Sequence, residues 1–131
     1  MKKVFKLVLL VFLIFGVTAI GGIYYLNKGL EEGQNLSFDN IELSSVNDGI
    51  YEGEYKAGRF SNRIQVKVEN NKITKINILD DVVFAKTEVS DKLFEKVINK
   101  QGIDVDVISG ATVTSKSYLK TIENALKNKN Q

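Results

Sequence analysis

Leu7 to Leu26 forms an unbroken run without a charged side chain, and it dictates how the rest of the chain is deployed. Its length matches the roughly 20 residues that a helix needs to cross the hydrocarbon core of a bilayer. Lys2, Lys3 and Lys6 precede it, which predicts a cytoplasmic N-terminus and a domain on the far side. Tyr24 and Tyr25 lie near its outer end, where amphipathic aromatics favour the membrane interface. A cleaved signal peptide is the competing reading, with Val17-Thr18-Ala19 as a weak small-residue cleavage site. The apolar run continues past that site, which favours an uncleaved anchor. Either way the domain is expected beyond the cytoplasmic membrane, and single-pass attachment to it is the expected state.

The 44% apolar content is inflated by this run, so the remaining domain is smaller and more polar. The net charge of +2 misleads similarly, because all 16 acidic residues follow Lys6 and meet only 15 of the 18 basic ones. No clustered basic face emerges, so nucleic acid is not an expected partner. The chain has no Cys and no His. That excludes thiol nucleophiles, disulfides, iron–sulfur ligation, Cys or His metal sites and every imidazole-dependent triad. Redox chemistry would therefore have to come from a cofactor.

Residues 27–47 are rich in Asn, Ser, Glu and Gly without a period, and read as a tether between anchor (1–26) and domain (48–131). A short strand from Phe38 to Leu43 is one option within it. Ile50 to Tyr55 reads as a strand, and Gly53 inside it implies a bulge or a close backbone approach. Ile64, Val66 and Val68 alternate with Gln65 and Lys67; Asn70-Asn71 then supplies a pair suited to positive φ, before a second strand with Ile73, Ile76 and Ile78. This predicts a β-hairpin. After a loop over Asp80–Lys86, or a further short strand through Val82, Val83 and Phe84, Thr87 or Ser90 is expected to cap a helix striped by Val89, Leu93, Phe94, Val97 and Ile98, which Gly102 ends. Ile103, Val105 and Val107 alternate as in a short strand. Tyr118, Leu119, Ile122, Ala125 and Leu126 predict a final helix capped by Thr114 or Ser115, with Lys127 and Lys129 at its C-terminal end. The fold class is α+β: a small antiparallel sheet with a β-hairpin packed against two helices, preceded by one N-terminal transmembrane helix.

Between the last two elements lies Asp106-Val107-Ile108-Ser109-Gly110-Ala111-Thr112-Val113-Thr114-Ser115. Four hydroxyls surround a glycine at a helix start, where free amides and the positive dipole end suit a phosphate. A well-capped strand-to-helix turn would use the same residues. Taken with Asp48-Gly49-Ile50-Tyr51-Glu52-Gly53-Glu54-Tyr55, the hairpin through Lys72-Ile73-Thr74-Lys75-Ile76, and Gln101, the stretch resembles the FMN-binding domain family. That domain occurs in flavin-carrying subunits of sodium-pumping NADH:quinone reductases and Rnf electron-transport complexes.

The resemblance implies a flavoprotein carrying FMN in electron transport. In the family, Asp-x-x-Ser/Thr-Gly-Ala-Thr is the acceptor of a flavin transferase that joins FMN, through its phosphate, to the last threonine. Here Asp106, Ser109, Gly110, Ala111 and Thr112 match, making Thr112 the implied attachment point and Asp106 a transferase-recognition residue. Thr114 and Ser115 are caps or phosphate ligands. Lys116 is either a solvated lysine of the first helical turn or a group that stabilises reduced flavin, and Tyr51 and Tyr55 either pack in the core or hairpin, the preferred reading, or stack on its ring. Many members carry a histidine after the hairpin, where this chain has Asp80-Asp81-Val82-Val83-Phe84. The short length suits a free-standing carrier, with a flavin transferase, redox proteins or a quinone-linked membrane complex as implied partners. Non-covalent FMN binding and a non-redox surface binding module are the alternatives. A carrier role is expected more than catalysis on a substrate of its own.

Overall fold

The computed structural model describes residues 1–128; Lys129, expected at the last helix end, lies outside them. The apolar run forms α1 (Lys2–Asn27), which buries none of its residues against the rest of the chain. It is long and apolar enough to cross a membrane. Three strands follow, β1 (Gly49–Tyr55), β2 (Asn62–Glu69) and β3 (Lys72–Asp80), as an antiparallel sheet in sequential order. Strict alternation puts Ile64, Val66 and Val68 on one face, each fully buried, while Gln65 and Lys67 face outward. Asn70 and Asn71 both take φ near +55°, at 53° and 57°, as a two-residue hairpin requires. Register shifts in the β2–β3 pairing bring Ile76 and Ile78 opposite Val66 and Ile64, on the inner face with Ile73.

Two helices cover that face: α3 (Thr87–Lys100) and α4 (Thr112–Lys127). The stripe Tyr118, Leu119, Ile122, Ala125 and Leu126 is at most 2% exposed and packs on β1 and β2. Phe94 of α3 meets Tyr118 edge-to-face, with ring centres 5.6 Å apart. Gly53 resolves as a close approach rather than a bulge: a Cβ there would lie 2.1 Å from Thr121 O and 2.5 Å from Ala125 N. The missing side chain is what lets α4 settle directly on β1.

Several sequence expectations change. The 27–47 stretch contains α2 (Leu30–Gln34) and a 3-10 turn at Leu43–Ser45, and folds back onto the domain. Its apolar residues had partners after all: Val46 is 1% exposed, while Phe38, Ile41 and Leu43 pack on the core. Lys116 and Lys120 of α4 donate to Gln34 O and Ser37 O, and Lys127 pairs with Asp39. No strand forms over Phe38–Leu43.

Residues 103–107 also form no strand. The edge of β3 is satisfied differently there: Gln101 Oε1 accepts from Ile73 N–H at 2.7 Å, and its Nε2 donates to Ile73 O at 2.9 Å. One side chain thus does what a fourth strand would do. Gln101 itself, at φ 57°, supplies the left-handed cap of α3 that was expected of Gly102. Neither α3 nor α4 has a side-chain N-cap: Thr87 is the first residue of α3 and not its cap, and the two helices begin three or four residues earlier than a Ser90, Thr114 or Ser115 cap would allow.

Candidate functional site

The Ser109–Ser115 stretch folds as a tight turn running straight into α4. Ala111 N–H donates to Ile108 O at 2.9 Å, closing the turn around Gly110 at φ 77°. A Cβ on Gly110 would meet nothing within 4 Å, so glycine is needed for conformation and the space beside it is open. Ser115 is fully buried, and its Oγ accepts from Ile108 N–H at 3.1 Å. Its hydroxyl therefore locks the turn from inside and does not face a ligand. The first helical bond of α4 runs from Ser115 N–H to Ala111 O at 2.8 Å. The amides of Thr112, Val113 and Thr114 precede it and remain available to an anion.

Beside this turn lies a cleft of about 380 Å³, lined by Ile108, Ser109, Gly110, Ala111 and Thr114 on one side. The other side comes from the 81–86 loop and the start of α3, through Phe84, Lys86, Glu88, Val89 and Lys92. Two helix N-termini thus converge on one cavity, both with their positive ends toward it. Lys92 Nζ lies 2.6 Å from Glu88 Oε1, and this pairing lowers the Glu88 pKa below the usual carboxylate range. Thr112 is exposed and stands next to the cleft rather than in its lining.

Phe84 stands out on the opposite wall. It is 69% exposed and has φ 63°, a conformation rare for a bulky side chain. The loop is pinned twice just ahead of it. Asp81 Oδ1 accepts from Tyr118 Oη at 2.5 Å, and Val83 N–H donates to Arg59 O at 2.9 Å. Phe84, Lys86 and Lys92 carry no motif signal in the sequence: Phe84 ends the short apolar run Val82-Val83-Phe84, and the two lysines fall at no informative period.

The other expected site residues lie elsewhere. Asp106 is exposed in a separate groove with Lys96, Asn99, Lys100 and Asp104. Lys116 donates to Gln34 O at 2.8 Å and is not in the cleft lining. Tyr51 and Tyr55 belong to the inner face of the sheet; the Tyr51 hydroxyl donates to Asn47 O, and burial raises the Tyr55 pKa. Neither lines the cleft.

The model of the FMN-binding domain family matches residues 60–127, just over half of the chain. The chain belongs to the FMN-binding domain family. FMN is accordingly the cofactor of this domain. No match was found among curated proteins. Among solved structures, the CPE2226 protein from Clostridium perfringens is similar at 26% identity and a TM-score of 0.49, over 64% of this chain and 88% of its own.

The turn and cleft of this FMN-binding domain fit such a group. The open side of Gly110 leaves room that a phosphate would need beside the free amides of α4, and Thr112 is exposed next to them. Phe84 and Val89 give the cleft apolar surface, and Lys86 gives it positive charge beside the Lys92–Glu88 pair. The residues present suit a flat, anionic, phosphate-bearing ligand.

Proposed function

We propose that this domain is a membrane-anchored, extracytoplasmic electron carrier whose FMN is attached through a phosphoester to Thr112. The observation that carries the reading is the exposed Thr112 hydroxyl at the head of α4, beside Gly110 and the free amides of Val113 and Thr114. In the attachment step the Thr112 Oγ–P bond forms as the bond from that phosphorus to the AMP of FAD breaks. AMP leaves, and the hydroxyl proton passes to a base of the transferase. The exposed Asp106 is available for transferase recognition. Ser109, Gly110, Ala111 and Thr114 would hold the phosphate, while Ser115 holds the turn. When bound, FMN supplies reversible acceptance and release of electrons. The protein's part is to fix its phosphate, shelter its ring against Phe84 and Val89, and surround it with positive charge that favours the reduced form.

The extracytoplasmic side rests on Lys2, Lys3 and Lys6 ahead of α1. Flavin transferase is the maturation partner in this reading, and redox proteins or a quinone-linked membrane complex are the exchange partners. The decisive experiment expresses the full chain with and without a flavin transferase, followed by in-gel flavin fluorescence after denaturation and intact mass. Wild type should gain one FMN, Thr112→Ser should retain some loading, and Thr112→Ala should gain none. A dark wild-type band with an active transferase would refute covalent attachment. Loss of flavin binding by native protein as well would refute the carrier role.

A further inference from the structure

The end of the apolar helix and the wall of the flavin cleft are joined through a single residue. Arg59 Nε donates to Leu26 O at 2.9 Å, at the point where the uncharged run stops. The main-chain oxygen of the same Arg59 accepts from Val83 N–H at 2.9 Å. Backbones around this link are in direct contact: a Cβ on Gly29 would meet Ala57 O at 2.2 Å, and one on Gly58 would meet Lys28 O at 2.5 Å. The 81–86 loop is therefore held within one arginine's reach of the place where α1 leaves its apolar stretch.

That loop presents the wrong surface for water. Val83 is 43% and Phe84 69% exposed, and Phe84 adopts the left-handed conformation that bulky residues avoid. Phe84 is largely uncovered and Val83 partly so among the described residues. Lys28 and Lys86 are exposed around the same end, and Tyr24 and Tyr25 are exposed in the last turns of α1. An apolar tip flanked by cations, and linked through Arg59 to Leu26 just past the two tyrosines, is the pattern of a segment that seats in a lipid interface. At the opposite end of the sheet the turn itself is polar, and the exposed apolar side chain there, Ile50, sits within β1 and not at a loop tip. There the Asn70-Asn71 turn and the neighbouring Glu69 and Lys72 are polar and exposed, about 25 Å away along β2 at ~3.3 Å per residue.

We propose that the Val83–Phe84 tip inserts into the headgroup region of the membrane that α1 crosses, with anionic phospholipid as its partner. This rests on α1 being a membrane anchor. The sheet then stands with its hairpin turn away from the lipid. The flavin cleft, which shares Phe84, opens at the bilayer surface, within reach of partners that travel in the membrane.

The chain contains no Trp, so one introduced Trp is the sole indole reporter. Tyr24→Trp, Phe84→Trp, Val83→Trp and Glu69→Trp variants of the full chain would be reconstituted in phosphatidylcholine vesicles containing phosphatidylglycerol, with and without lipids brominated near the glycerol end of the acyl chain. Tyr24→Trp reports the anchor, and Glu69→Trp reports the distal end. The expected result is strong bromine quenching at positions 24, 83 and 84 and none at position 69. Quenching at 24 with bright emission at both 83 and 84 would overturn the seating and leave the anchor standing. Bright emission at all four positions would overturn the anchor and the seating together. Val83→Trp decides the question should Phe84→Trp fail to fold.

Discussion

The hydroxyl of Tyr118, fully buried in α4, donates to the carboxylate of Asp81 at 2.5 Å across 37 residues of sequence. This bond ties the loop behind the β-hairpin to the helix that begins at Thr112, so both walls of the cleft share one frame.

Tyr118→Phe should preserve the fold and loosen the 81–86 loop. The predicted cost is about 1 kcal/mol in chemical denaturation, because exposed Asp81 can be rehydrated. Burial, followed by the bond to Asp81, raises the Tyr118 pKa well above the ordinary value of 10.0. The folded pKa is above the unfolded one. The stability it represents is therefore complete below pH 10.0 and lost as pH rises through the folded value. Absorbance titration of the five tyrosines should show Tyr118 ionising only as the domain unfolds.

Gly53→Ala should be far more damaging than an ordinary strand glycine change. Its Cβ would collide with main-chain atoms of Thr121 and Ala125, which cannot rotate away. A loss of about 3 kcal/mol is expected, read as a lower denaturation midpoint with near-native secondary structure at low denaturant.

Gln101→Asn should keep the left-handed cap, since Asn tolerates positive φ, but its shorter side chain cannot bridge to Ile73. The expected cost is about 1–2 kcal/mol, with the Ile73 amide exchanging faster by NMR while amides paired within β2–β3 are little changed.

Ser115→Ala should separate turn geometry from chemistry. It leaves Thr112 in place but removes the acceptor of Ile108 N–H, at about 1–2 kcal/mol. Flavin attachment should then slow without being abolished. Thr112→Ala, at an exposed position, should abolish attachment with little change in stability.

What was legible in advance followed from period and turn chemistry. Alternation at Ile64–Val68 with Asn70-Asn71 defined the hairpin, and the Leu93 and Ile122 stripes defined α3 and α4. The Ser-Gly-Ala-Thr motif located the turn because its residues are contiguous. Long-range satisfaction of polar groups was not legible. Gln101 filling the place of a strand, and Asp39 meeting Lys127, join residues whose spacing carries no signal. The tether was misread for the same reason: Val46, Phe38 and Ile41 pack at aperiodic positions because they follow the surface of α4 and not a helix or strand of their own. Phe84 was missed because an exposed aromatic in a loop looks ordinary until its backbone angle and neighbours are known.

The folded-back segment after α1 limits the kind of electron exchange open to the proposed carrier. A flexible spacer of about 20 residues would let a domain roam over about 25 Å and act as a swinging arm between distant stations. Here Gly29 abuts Ala57, and Lys116, Lys120 and Lys127 fasten residues 34–39 to α4. In the proposed role the flavin would be a fixed terminal, and donor and acceptor would each have to come to its berth, selected by shape rather than by the length of a leash.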